Sequence, residues 1–192
     1  MSAWKNLLVV TASLAGCAAP VATPESLIAG GAPGIGVALA IQRIASAAAI
    51  ADPLAVEREL QLPGIAAGLS WTERPEDRGL GVLSATWTPG TSALGIVRVD
   101  LETMPRQDFG DSHKLLTTLV LQLEPTQCPS EQVLRAALGV APEFGKAPSA
   151  IGGSPTWYTS FNLTRDPRRK VRVFYTDENT CRLRVSLLEP RG

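Results

Sequence analysis

Chemistry needs side chains that can attack, carry a proton or hold a ligand, and this chain offers few of them. It has one histidine, His113, and three cysteines, Cys17, Cys128 and Cys181, too few donors for an N/S metal cluster once a cysteine pair is committed elsewhere. The carboxylates are scattered and lack the spacing of a calcium loop. Ser112 lies next to His113. A serine nucleophile needs its base within hydrogen-bond reach, and adjacent side chains of an extended chain point apart. Ser112 is therefore expected in a solvated loop, with a small hydrolase centred on it as an alternative. Gly30-Gly31-Ala32-Pro33-Gly34-Ile35-Gly36 could offer backbone N–H groups to a phosphate. The Lys-Ser/Thr of a P-loop is missing, however, and Leu39 occupies the third glycine position of a dinucleotide fingerprint. The reading is of a chain without catalysis, cofactor or metal.

Phe109-Gly110-Asp111-Ser112 resembles the first block of GDS-type esterases, but that family draws its histidine from far downstream and this chain has only His113. The N-terminus carries a more specific motif. A polar start with Lys5 leads into the apolar run Leu7 to Ala15, too short to cross about 30 Å of hydrocarbon as a helix. It reads as the core of an export signal. The run ends in Leu14-Ala15-Gly16-Cys17, which resembles the bacterial lipobox. The resemblance implies cleavage before Cys17, a diacylglyceryl group on its thiol and a membrane-anchored chain facing the periplasm. Ala18, a non-acidic residue after that cysteine, implies the outer membrane in a Gram-negative host. An ordinary secretory signal and an uncleaved anchor are the alternatives.

With Cys17 assigned to lipid, Cys128 and Cys181 form an even pair in an oxidising compartment, and a disulfide is expected. Two buried free thiols are the alternative. A bridge around 52 intervening residues would stabilise by about 4 kcal/mol in the chain-entropy model.

The 18 basic and 18 acidic residues balance, which excludes the global basic excess of a nucleic-acid binder. The charge is nevertheless segregated. Residues 165–192 hold eight basic residues against four acidic, net +4, while the rest of the mature chain stands at −5. If Asp177-Glu178-Asn179-Thr180 closes a hairpin, the alternation that buries Val173 and Leu183 sends Lys170, Arg172, Phe174, Arg182 and Arg184 to the opposite face. A symmetric loop is expected to set Arg172 directly across from Arg184, with Tyr158, Ser160 and Asn162 on the neighbouring strand. Opposed like charges cost stability, and an anionic partner would relieve them. The alternative is a solvated face neutralised by loop acids such as Asp166 or Glu178.

The elements that must position this face are legible in outline. Residues 17–33 read as a lipidated tether, and 34–51 as an Ala-rich helix. Arg43 near its centre argues against a membrane span; the helix docks on the folded domain or lies at the bilayer surface. Asp52-Pro53 opens a short helix that Pro63-Gly64 stops, and Cys128-Pro129-Ser130-Glu131 opens another of the same form that Gly139 ends. Strands are expected at Leu69 to Trp71, Leu80 to Thr88, Leu94 to Glu102 and Lys114 to Glu124. Three more are expected around Trp157 to Leu163, Val171 to Tyr175 and Cys181 to Leu187.

Trp71 to Arg78 parallels Phe161 to Arg168, and Ile96 to Glu102 parallels Leu183 to Glu189, an offset of about 90 residues that reads as a repeat. The expected fold is α+β: two tandem helix plus antiparallel-sheet units, 52–124 and 125–192, which could share one continuous sheet. Glu131 to Gly139 and the pattern of residues 52–189 resemble the small helix-sheet modules of the outer-membrane assembly lipoprotein BamE and of tandem β-lactamase inhibitor proteins. The resemblance implies a binding or envelope-assembly module, or an inhibitor or stress protein that binds another protein. Its partners would be the membrane, through the N-terminal lipid, and an envelope protein or anionic lipid or polymer, with no nucleic acid.

Overall fold

The computed structural model of the chain describes residues 23–47, 49–68, 70–73, 81–89, 92–105, 114–147, 156–163, 170–176 and 181–190. Alternating apolar residues bounded by turn formers give eight strands: β1 Ser70–Glu73, β2 Gly81–Trp87, β3 Ile96–Pro105, β4 Lys114–Leu123, β5 Pro142–Ala147, β6 Thr156–Asn162, β7 Lys170–Thr176 and β8 Arg182–Pro190. They form one antiparallel sheet in the order β1-β2-β3-β4-β8-β7-β6-β5. Each half is a meander, and the two meanders join where β4 pairs β8, with Leu121 opposite Leu183 and Leu119 opposite Val185. The fold is α+β.

Four helices accompany the sheet: α1 Pro24–Ala29, α2 Ile35–Ser46, α3 Pro53–Leu60 and α4 Glu131–Leu138. The 3.6-residue period of α2 puts Val37, Ala38, Ala40, Ile41, Ile44 and Ala45 on its buried side. These pack with Leu101, Leu119, Leu121, Leu183, Val185 and Leu187 from one face of the sheet. Each fully buried Leu or Ile contributes about 1.5–3 kcal/mol relative to an exposed one. Helix α2 thus docks on the folded domain. The alanines let α2 lie against both α3 and α4, so the helices form one layer across the sheet's joint. Ile50, in the 3-10 turn Ala49–Ala51, is fully buried in that core, and the turn touches both β4 and β8. Arg43 stays at the surface of α2 and pairs with Glu59 of α3 at 2.6 Å. That hydrogen bond, first among the causes, holds the Glu59 carboxyl below its ordinary value.

Local chemistry sets the helix ends. Asp52 accepts the Leu54 N–H at 3.0 Å and Pro53 takes the first helical position. The stop differs from expectation: α3 ends at Leu60 because Gln61 turns left-handed (φ 56), ahead of Pro63-Gly64. In α4 the cap is Ser130, whose Oγ accepts the Val133 N–H at 3.3 Å, so Pro129 precedes the cap instead of following it. Gly139 ends α4 at φ 69.

Two expectations are corrected. Residues 24–29, read as tether, form α1. Thr23 and Ser26 cap each other's backbone N–H groups in a capping box, and Leu27 packs on the core. The repeat is also out of frame. Trp71 lies on β1 and Phe161 on β6, whereas the two meanders, taken in order, equate β1 with β5. The similar stretches reflect shared alternation, one strand out of step.

The glycine run has a packing role at Gly34. Its φ is 70, and a Cβ there would lie 2.6 Å from the Gln127 carbonyl oxygen, hard against the backbone that leads into α4. That segment is also held by the Cys128–Cys181 disulfide, whose Cα atoms are 5.6 Å apart. Cys181 is buried, and its carbonyl accepts the Leu123 N–H at 3.0 Å. The bridge therefore ties the entrance of α4 to the start of β8, beside the end of β4.

Candidate binding face

Because side chains alternate along a strand, the sheet face opposite the helices is fixed by the same registers. Three of its rows run across the joint. One contains Thr86, Asp100, Val120 and Arg184; the next contains Ser84, Glu102, Thr118, Ser186, Arg172 and Asn162; the third contains Met104, Leu116 and Leu188. Arg172, Arg182 and Arg184 are exposed, and Tyr158 is half-buried on the same face, its ring lying over Gly145, where a Cβ would collide with it. Lys170 pairs its backbone with Leu188.

The sheet brings the expected arginines to one face but in a different register. Arg172 pairs with Ser186, and Arg184 pairs with Phe174. Cys181 adopts φ 39 and stands outside the ladder, which begins at Thr176 opposite Arg182. The observed pairing lies two residues from the expected Arg172–Arg184 opposition. A shift of two preserves the face while making these arginines diagonal neighbours, about 7–8 Å apart. The expected repulsion between directly opposed charges is removed.

Carboxylates also share this face. Asp100 accepts two hydrogen bonds from Arg98, at 3.0 Å each, and one from Thr86 at 2.8 Å. Burial is the largest single influence on Asp100 and raises its pKa; the Arg98 and Thr86 hydrogen bonds, with the charges of Arg98 and Arg182, together outweigh it and leave the carboxyl below its ordinary value. Arg182 is thus coupled to β3 across β4. Tyr158, Asn162, Arg182 and Arg184 each engage another group. On this face β3 carries the Arg98–Asp100 pair and Glu102, and β7 and β8 carry Arg172, Arg182 and Arg184, with Thr118, Val120 and Gln122 of β4 between them.

No family model, curated protein or solved structure matches this chain. Its site must be read from its own geometry.

That geometry includes residues the sequence reading passed over. Thr118 and Ser160 are buried on the face opposite the helices, and Ser186 Oγ is shielded from solvent with no hydrogen-bond partner. Ser186 sits between buried Val185 and Leu187, Thr118 between buried Thr117 and Leu119, and Ser160 beside buried Phe161, a pattern that becomes a cluster only when register is known. The Met104-Leu116-Leu188 row was hidden for the same reason. Cys17, Ser112 and His113 lie outside the described residues, as do Asp166 and Glu178. Among the described residues, no group of three or more His, Cys, Asp and Glu side chains could hold a metal ion.

Proposed function

We propose that this protein is a lipid-anchored, periplasm-facing bacterial lipoprotein, held in the outer membrane, that acts without catalysis as a binding or envelope-assembly module. The observation that carries the reading is the sheet face opposite the helices, on which Arg172, Arg182 and Arg184 are all exposed. A sheet with helices on one side and a cationic surface on the other offers a rigid platform to an anionic partner. The lipobox-like Leu14-Ala15-Gly16-Cys17 supports the address. So does the Cys128–Cys181 bridge, since disulfides persist in oxidising compartments. A role in outer-membrane assembly of the BamE kind is the version that the helix-sheet likeness adds.

The test is in-cell crosslinking from position 172 followed by mass spectrometry, in the otherwise native chain and in one carrying Arg184→Glu. The expected result is capture of an envelope component from the native background, with recovery reduced several-fold by the reversal and by added salt. Recovery of the chain's own peptides alone would remove the reading.

A further inference from the structure

Ser186 Oγ is a hydroxyl shielded from solvent with no hydrogen-bond partner among the described residues. Buried polar groups are nearly always paired, so an orphan marks strain, function or a missing ligand. Its neighbours give the orphan a context. Ser186 pairs in register with Thr118 on one side and Arg172 on the other, while Arg184 and Leu188 flank it two residues away along β8. Adjacent strands stand about 4.8 Å apart, so an anion above Ser186 lies within reach of Arg172 and of Arg184, which would exchange its present contact for the anion. Guanidinium forks bind phosphate oxygens in bidentate fashion, and the Ser186 hydroxyl, shielded as the face stands, would donate to the same anion once the side chains covering it turn aside.

Beside this cationic pair lies the third row, where Met104, Leu116 and Leu188 stand in register across β3, β4 and β8. All three are half-buried. They form a shallow apolar strip about 10 Å wide, from two strand spacings, that begins one row past Ser186. Glu102 on β3, in the same row as Ser186 and two strands away, disfavours an anion there and leaves it the β7/β8 side. Cationic head site and apolar strip follow one another along the strands in the order of the parts of an amphiphile.

We infer that this strip of the sheet seats one anionic phospholipid, its phosphate held by Arg172 and Arg184 over Ser186 and its acyl chain laid on Met104, Leu116 and Leu188. The inference rests on the anionic-partner reading above and names the partner's chemistry. An acidic peptide would match the arginines but leave its own backbone groups unpaired on an apolar row.

The test is native mass spectrometry of the purified full chain in nonionic detergent. It is titrated with dioleoyl phosphatidylglycerol, with dioleoyl phosphatidylcholine as the same-tail control and inorganic phosphate as competitor. One phosphatidylglycerol per chain is expected, bound at least tenfold tighter than phosphatidylcholine and poorly displaced by phosphate. Arg172→Glu with Arg184→Glu should weaken it tenfold or more, and Leu116→Asn with Leu188→Asn by a similar factor. Ser186→Ala, the variant least able to disturb folding, should weaken it several-fold with an unchanged melting temperature.

Equal binding of both lipids, complete displacement by phosphate, or native affinity in both the apolar-row and Ser186 variants would overturn the inference. If phosphatidylglycerol fails to bind while crosslinking from position 172 still captures an envelope protein, the lipid is wrong and the broader reading stands. If neither lipid nor crosslinked partner is found, both fall.

Discussion

At the residue scale, backbone and charge place tight demands on a few positions. Gly34 and Gly139 both have left-handed backbones, at φ 70 and φ 69, yet only Gly34 has backbone atoms where a Cβ would go. The left-handed conformation alone costs a non-glycine residue about 1–2 kcal/mol. Gly139→Ala should lose about that much in denaturant unfolding, and Gly34→Ala clearly more; equal losses would mean that the contact with Gln127 and Pro129 is unimportant. Asp100 supports a pH prediction. Its folded pKa lies below the ordinary 3.8, so its contribution is complete above the unfolded value and fades as pH falls through the folded one. Asp100→Asn should therefore lower the melting temperature slightly at neutral pH, with the gap to wild type closing below about pH 3.8. A gap unchanged into acid would show that the Arg98–Asp100–Thr86 contact acts through shape rather than charge. The sequence shows each of these residues, but it does not show what faces them.

At the element scale, strands β1–β4 and β6–β8, the Ala-rich α2 and the two capped helices α3 and α4 were readable, because alternation and turn formers are local signals. What escaped was non-local or too short to have a period. The helix α1 has six residues, and its evidence lies in the Thr23–Ser26 capping box rather than in any apolar stripe. Strand β5 contains Pro142 and Gly145 and leaves Phe144 exposed, so it lacks the alternation that marks a half-buried strand. The β7–β8 register is set by the turn between the strands, which takes in Cys181 at φ 39 outside the ladder. The same cysteine gives the element-scale prediction. Its bridge to Cys128 closes a loop with sequence separation 53, which stabilises by about 4 kcal/mol in the chain-entropy model. Replacing both cysteines with serine should lower the melting temperature by about 8–16 °C at this chain size. In the native protein, alkylation should find Cys128 and Cys181 only after reduction. Labelling of both in the unreduced exported chain would contradict the bridge.

At the scale of the whole molecule, the lipoprotein reading proposed above requires that something hold the chain at a membrane. The Ala-rich segment 34–51 could be read as membrane-seeking from its sequence, and the fold uses its apolar side: α2 buries Val37, Ile41 and Ile44 against the sheet and neighbouring helices. Among the described residues no helix is long and apolar enough to cross a membrane. Under the lipoprotein reading, stable attachment then falls to the acyl groups on Cys17, since each buried CH₂ contributes about 0.8 kcal/mol and several chains together anchor firmly. Cys17→Ser should move the exported chain from the membrane fraction to the soluble fraction. Its melting temperature and disulfide should be unchanged, because the core of the described residues and the Cys128–Cys181 bridge are built from other positions. Intact mass of the wild-type membrane-extracted protein should show a chain starting at Cys17 plus acyl groups. The salt dependence of the variant separates the two attachments. If Cys17→Ser remains membrane-bound at low salt and is released at high salt, the arginine face binds the bilayer by charge and the lipid is a second hold. If it remains bound at every salt concentration, with no acyl mass on the wild-type chain, the lipobox reading of Leu14-Ala15-Gly16-Cys17 is wrong and another part of the chain is the anchor.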